Sequence, residues 1–157
     1  MSKMIKLALS ILACLVAGFI GSAATMPSIP TWYASLQKPA FNPPNWIFAP
    51  VWTTLFIMMG VAAFLVWDKG LENKKVRISL AIFGLQLLLN VLWSMLFFGL
   101  QSPLYAFIDI LVLWALILAT MIYFYRISAA AAYLLIPYIL WVSFASALNL
   151  SIVILNR

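Results

Sequence analysis

The sequence has few of the residues from which most enzyme sites are built. Its 157 residues include no histidine, one cysteine (Cys14) and three acidic residues. One thiol cannot form an intrachain disulfide, and without histidine the usual zinc, copper and haem ligand sets are missing. No glycine-rich phosphate loop and no Ser/His/Asp set occurs either. The sequence therefore predicts no metal site, no required cofactor and no conventional catalytic set.

Charge is scarce as well, and this scarcity indicates the class of protein. Charged residues make up 8% of the chain and apolar residues 67%, whereas soluble domains carry about 25% charged residues. A helix crosses the hydrocarbon core of a bilayer in about 20 residues. Five apolar runs are long enough: 7–25, 46–67, 78–99, 104–125 and 129–155. The sequence predicts an all-α, multi-pass integral membrane protein in which residues 1–157 form a single bundle of five transmembrane helices.

The distribution of basic residues predicts the orientation of this bundle. Lysine and arginine in short loops concentrate on the cytoplasmic side of a membrane. With the N-terminus inside, seven of the nine basic residues lie on that side and only Lys38 and Arg157 on the other. We therefore expect a cytoplasmic N-terminus, with loop 26–45 and the C-terminus outside, in a bacterial-type cell membrane. The net charge of +6 then mostly reflects topology, with an anionic-lipid patch at 74–77 as the alternative contribution. We expect membrane lipid around the protein and no nucleic-acid partner.

The first outer loop has an unusual composition. The stretch "WYASLQKPAFNPPNWIFAPVW", residues 32–52, holds four of the eight prolines and a single lysine. Prolines reduce the freedom that a loop loses on closing, and aromatic rings can cover an apolar opening. We expect this loop to act as a lid.

Amide and indole side chains recur on one face of each of two spans, at helical spacing. The residues are Gln86, Asn90, Trp93 and Phe97 in the third span, and Trp141, Ala145 and Asn149 in the fifth. Because an amide in hydrocarbon is costly unless it is hydrogen-bonded, both faces should lie in the bundle interior. Two interpretations remain open: the amides join helices, or they line a ligand cavity.

Asp109 is the one acidic residue well inside a span. An intramembrane carboxylate is a functional candidate. It lies close to the start of the fourth span, however, where the helix N-terminus favours negative charge. We expect a structural role with Lys38 or an asparagine as its partner, with proton coupling as the alternative.

Three stretches in this order resemble the translocator protein/tryptophan-rich sensory protein family, once called the peripheral benzodiazepine receptor. They are residues 32–52 above, "LNVLWSMLFFG" in the third span and "LLIPYILWVSFASALNLSIVILN" in the fifth. The resemblance covers nearly the whole chain. It implies a five-helix bundle, a homodimer, and a pocket that the first loop covers.

The resemblance also implies a function. Family members bind porphyrins such as protoporphyrin IX, several bind sterols, and many bind synthetic benzodiazepine-type drugs. A receptor with a stress-sensing or regulatory role is therefore expected; a transporter of tetrapyrroles or sterols is the alternative. Some bacterial members degrade protoporphyrin with light and oxygen, and the tryptophans implicated correspond to Trp52 and Trp141, so catalysis stays open. The resemblance implies pocket positions at Ala24, Trp93, Tyr105, Asp109, Ala145, Leu148 and Asn149. Together with the lid and the polar faces, we expect ligand-binding residues at Ala24, Trp32, Pro44, Trp52, Asn90, Trp93, Tyr105, Asp109, Ala145, Leu148 and Asn149.

This chain departs from the family pattern at two aromatic positions and at one motif. Phe41 stands where many members have tryptophan, and Tyr105 where vertebrate members do. The vertebrate cholesterol motif would end the fifth span, but no tyrosine occurs there. The departures argue against high-affinity cholesterol binding.

Overall fold

The computed structural model describes residues 1–157 and contains helices and connecting segments but no strand. Its six α-helices are α1 (Lys3–Thr25), α2 (Phe48–Trp67), α3 (Lys74–Ser94), α4 (Pro103–Tyr125), α5 (Ala129–Leu134) and α6 (Ile136–Leu155). By length and composition, five helical stretches can cross a membrane, the fifth being α5 and α6 together. The all-helical class and the five membrane spans are therefore confirmed.

The ends of the helices follow from local capping and from one proline. Helix α1 begins at Lys3, earlier than predicted, because Ser2 Oγ accepts a hydrogen bond from the Ile5 N–H at 3.2 Å. The span predicted at 129–155 is interrupted at Leu135, between α5 and α6. Pro137 lacks an N–H and its ring crowds the carbonyl one turn earlier, which accounts for this one-residue interruption. The predicted fifth span, 129–155, is confirmed as a whole.

Helices α1 and α2 pack with their backbones in close contact. Gly60 of α2 is buried, and a Cβ at this position would lie 2.5 Å from the Cα of Ile11. Beside it, Gly18 of α1 leaves room for the ring of Phe56. Small residues allow such an approach between membrane helices. At one end of this pair, Lys3 and Lys6 each place their Nζ 3.5 Å from the carboxylate of Asp68.

Residues 26–47, which we call the α1–α2 segment, lie at the opposite end of α2 from Asp68. The segment is partly helical: Ile29–Tyr33 form a π-helical turn and Asn45–Ile47 a 3-10 turn. Its first part is anchored by Ser28, whose Oγ donates to the carbonyl of Phe98 at 2.9 Å. Tyr33 is buried, with its ring 5.6 Å from that of Phe98.

Candidate ligand-binding cavity

A cavity of about 340 Å³ lies between α1, the α1–α2 segment, α2, α3 with the π-helical turn Met95–Gly99 that follows it, and α6. Most of its 23 lining residues are apolar. The wall from α1 is built of small residues, including Ala17, Gly18 and Gly21, whereas the other walls carry aromatic rings. These rings belong to Tyr33, Phe48, Trp52, Phe56, Trp93, Phe97, Phe98 and Trp141. Small-molecule pockets range from about 300 to 1,000 Å³, so this cavity is at the lower end of that range.

The structure brings seven of the predicted site residues together on the cavity wall. They are Trp52, Asn90, Trp93, Trp141, Ala145, Leu148 and Asn149. Five of the seven lie on the two faces whose helical spacing predicted an interior position. Contact of each residue with a ligand stays a prediction.

The other five predicted site residues do not line the cavity. They are Ala24, Trp32, Pro44, Tyr105 and Asp109. Helix α4 packs against α3 and α6 and supplies none of the cavity wall. This arrangement leaves Tyr105 61% exposed on the outside of the bundle and buries Asp109 away from the cavity. Trp32 instead packs edge-on against Phe97, with ring centroids 5.6 Å apart.

Asn149 both joins helices and lies on the cavity wall, the two positions that we considered for the amide side chains. Its Oδ1 accepts a hydrogen bond from Trp93 Nε1 at 2.9 Å, and its Nδ2 donates to the carbonyl of Pro103 at 2.9 Å. One amide therefore ties α6 to α3 and to the start of α4, and also lies on the cavity wall. Because its Oδ1 accepts the Trp93 indole N–H, that ring is held in a fixed orientation on the cavity wall.

A second hydrogen-bonded chain lies deeper in the bundle. Asn90 Nδ2 donates to the hydroxyl of Tyr138 at 2.7 Å, and this hydroxyl donates to Gln86 Oε1 at 2.7 Å. Tyr138 is fully buried, and its ring lies edge-on to Trp52 at 6.3 Å. Our sequence reasoning missed Tyr138, although it precedes Trp141 by three residues and so shares the interior face of α6.

Two buried polar atoms have no hydrogen-bond partner, namely Asp109 Oδ2 and Trp141 Nε1. The partner predicted for Asp109 was Lys38 or an asparagine, and neither forms a hydrogen bond or ion pair with it. Lys38 Nζ donates to the carbonyl of Leu36 at 3.2 Å and lies 4.7 Å from the ring centroid of Tyr33. Trp141 lines the cavity, but its indole N–H is itself buried, so an acceptor on a ligand would reach this donor only after neighbouring side chains shift.

Cavity-lining residues from the α1–α2 segment were also missed. Met26, Ile29, Tyr33 and Asn45 contribute to the wall. A loop of mixed composition has no period from which its inward side chains can be read. The segment that we expected to act as a lid therefore supplies four residues of the cavity wall, and only the folded structure identifies them.

Comparison with known proteins gives a family match over almost the whole chain. The model of the TspO/MBR family matches residues 10–155. The tryptophan-rich protein TspO of Chlorobaculum tepidum is 48% identical over 154 residues, which cover 98% of each chain. TspO of Archaeoglobus fulgidus is also 48% identical, over 98% of this chain and 99% of its own. The human translocator protein is 39% identical over 132 residues, or 83% of this chain and 78% of its own.

Proposed function

This chain belongs to the TspO/MBR family, and from that premise we propose that it binds planar tetrapyrroles of the protoporphyrin IX type in the cavity. We assign to this integral membrane protein a sensing or regulatory role that depends on the ligand. The observation that carries the proposal is the wall itself: Trp52, Trp93 and Trp141 line one cavity, and the N–H of Trp141 has no partner. Flat apolar faces with one free donor suit a large aromatic ring that carries acceptor groups.

Contacts with other side chains hold the three indoles in place. Trp93 stacks on Phe97, with centroids 5.0 Å apart and an interplanar angle of 23°. Trp141 packs edge-on against Phe48 at 6.0 Å, and Trp52 lies 5.7 Å from Phe56. Rings that are already oriented lose little side-chain entropy when a ligand binds. The aromatic wall is in this sense preorganised for a stacked ligand.

The size of the cavity requires one moving part. At about 340 Å³ it suits a drug-sized ligand, so a tetrapyrrole has to displace part of the wall. Helices α2, α3 and α6 are joined by buried polar and apolar contacts. The part of the α1–α2 segment after Tyr33 has no buried residue and contributes Asn45 to the wall, and we propose that this part moves outward.

We also propose the orientation and assembly that the basic residues and the family suggest. The end of the bundle where Lys3 and Lys6 meet Asp68 would face the cytoplasm of a bacterial-type cell, and the α1–α2 segment and C-terminus would face outside. This orientation follows the excess of basic residues on one side. A homodimer, with membrane lipid around it, is the assembly that the family resemblance implies.

Binding is tested by titrating protoporphyrin IX into the protein in lipid nanodiscs and following the absorbance of the porphyrin. We expect saturable binding at micromolar ligand. Trp141→Phe keeps a ring but loses the free N–H, and loss of one hydrogen bond should weaken binding by about 2- to 10-fold. Trp114→Phe is the matched control, because Trp114 lies outside the cavity wall and its Nε1 donates to Ser143 Oγ at 2.8 Å.

Two results would contradict the proposal. One is the absence of saturable binding to the wild-type protein. The other is equal affinity of Trp141→Phe and Trp114→Phe, which would show that the free N–H does not meet the ligand. A porphyrin flux into liposomes that depends on the protein would favour the transport alternative.

A second candidate function is light-driven oxidation of the bound porphyrin by molecular oxygen. It is favoured by the position of Trp52 and Trp141, which line the same cavity and carry oxidisable indoles. Under illumination in air, Trp52→Phe and Trp141→Phe should bleach the pigment more slowly than Trp114→Phe, at ligand concentrations that saturate each variant. Equal bleaching rates in all three would remove the catalytic role and leave the binding proposal standing.

A further inference from the structure

The second part of the α1–α2 segment is attached to the rest of the protein by very few contacts. No residue from 34 to 47 is buried. The hydrogen bonds of residues 34–44 stay within the segment, apart from one pair that joins Gln37 to Asn156. The one aromatic contact outward is Phe41 against Phe144, with centroids 6.0 Å apart. Leu36 also packs against the buried cluster that contains Tyr33 and Leu148. The Gln37–Asn156 pair therefore supplies the only hydrogen bonds, beside these two apolar contacts, that hold this stretch in position.

The pair joins one side chain to both backbone groups of one residue. The N–H of Gln37 donates to Asn156 Oδ1 at 2.9 Å, and Asn156 Nδ2 donates to the carbonyl of Gln37 at 2.8 Å. Asn156 Nδ2 also donates to the carbonyl of Ile152 at 2.8 Å. The carboxamide can satisfy these three bonds in only one orientation, because its oxygen has to face the N–H. We call this arrangement the Asn156 clamp.

The clamp connects the end of α6 to the α1–α2 segment close to the cavity. Asn156 follows α6, one turn beyond Ile152, which lines the cavity together with Leu148 and Asn149. Gln37 follows Tyr33, which lines the cavity from the segment. Releasing the clamp frees the second part of the segment while Ser28 and Tyr33 keep its first part in place.

We infer that Asn156 is a positioning residue of the cavity: its side chain holds the α1–α2 segment closed over the bound ligand and sets how fast ligand passes in and out. The part of this inference that concerns ligand rests on the proposed function. The closed position of the segment does not, because it is a property of the chain without ligand. Opening breaks the two bonds to Gln37 and leaves α6 and the aromatic wall intact.

The first experiment measures amide hydrogen exchange in the ligand-free protein in nanodiscs. Two exposed hydrogen bonds of ordinary strength slow opening by about tenfold, so Asn156→Ala should exchange residues 34–41 about tenfold faster. Asn156→Asp keeps the acceptor for the Gln37 N–H but loses both donated bonds, and should give an intermediate increase. Gln37→Ala is the matched control: it removes a side chain but keeps both backbone groups of the clamp, so its exchange should equal that of the wild type.

The second experiment measures the association and dissociation rates of protoporphyrin IX by stopped-flow absorbance. Asn156→Ala should raise both rates about tenfold and change Kd less than threefold, because the clamp closes over the free and the occupied cavity alike. General damage to the fold would instead weaken binding and lower the thermal stability of the helices. Faster ligand exchange with nearly unchanged Kd therefore indicates that Asn156 positions the segment, whereas weaker binding indicates a damaged fold.

Several results would overturn the inference. Unchanged exchange in Asn156→Ala would show that the clamp does not hold the segment, and so would faster exchange of equal size in Gln37→Ala. Faster exchange with unchanged ligand rates would show that the segment does not control ligand passage. If the wild-type protein binds no porphyrin, the proposed function fails, whereas the exchange comparison still decides whether the clamp exists.

Discussion

Substitution of two helical glycines by alanine should change stability in opposite directions. In a helix interior, alanine is more favourable than glycine by about 0.5–1 kcal/mol. At Gly84 an added Cβ meets nothing within 4 Å, so this gain should appear in full or in part. At Gly60 the Cβ would lie 2.5 Å from Ile11 Cα and 2.9 Å from Ile11 N. These are backbone atoms, which cannot rotate away.

The clash at Gly60 has a calculable size. Ordinary van der Waals contact begins at 3.4 Å, so α1 has to move away from α2 by roughly 1 Å where the two helices touch. Overpacking of this kind costs about 1–3 kcal/mol. After the gain in helix propensity is subtracted, Gly60→Ala should destabilise the protein by about 1–2 kcal/mol, whereas Gly84→Ala should stabilise it by about 0.5 kcal/mol.

The assay is reversible unfolding in mixed micelles with an increasing fraction of denaturing detergent, followed by tryptophan fluorescence. The measured quantity is the difference in the free energy of unfolding between each variant and the wild type. A stable Gly60→Ala protein, or equal effects of the two substitutions, would refute the backbone contact between α1 and α2 as the source of the effect. Gly18→Ala gives a milder clash, because the group it meets at 2.7 Å is the side chain of Phe56.

Two further predictions concern tyrosines. Tyr138→Phe leaves two buried amides without the hydroxyl that bonds them and should lower the free energy of unfolding by about 2 kcal/mol. The control is Tyr133→Phe, at an exposed site, which should have no effect. Equal effects of the two substitutions would contradict the buried hydrogen bonds of Tyr138. Burial raises the pKa of Tyr33 above its ordinary value of 10.0, and the hydrogen bond to Asn42 partly opposes this. Because Tyr33 then ionises at lower pH in the unfolded chain than in the folded one, it stabilises the fold below pH 10, and this contribution is lost as pH rises further. The fall in thermal stability at alkaline pH should therefore be smaller in Tyr33→Phe than in the wild type. An identical fall in both proteins would argue against the burial of Tyr33.

Hydropathy is sufficient to predict the five spans because the bilayer requires each crossing segment to be long, apolar and internally hydrogen-bonded. Capping explains why the ends differ by a few residues, as at Ser2. The interruption at Leu135 lies two residues before Pro137 and does not divide the fifth span, 129–155. Local chemistry thus accounts for the helices and for their ends.

The site was predictable only in part. Helical spacing correctly places Asn90, Trp93 and Asn149 in the interior, since an amide or indole facing lipid is costly. The positions carried over on α4, Tyr105 and Asp109, depend on how that helix packs, and in this structure it lies outside the cavity wall. The partners expected for Asp109, Lys38 or an asparagine, were wrong for the same reason, because no local pattern specifies which distant side chain reaches which helix.

The sequence by itself determined the membrane class, the helical spans and the buried faces, because each depends on composition and periodicity within about 20 residues. Only the tertiary structure decided which faces enclose the cavity, which residues of the α1–α2 segment line it, and that Asn156 bonds Gln37 across 119 positions of the chain. Such contacts depend on the relative placement of distant helices. That placement results from packing at sites such as Gly60 and from hydrogen bonds such as those of Asn149.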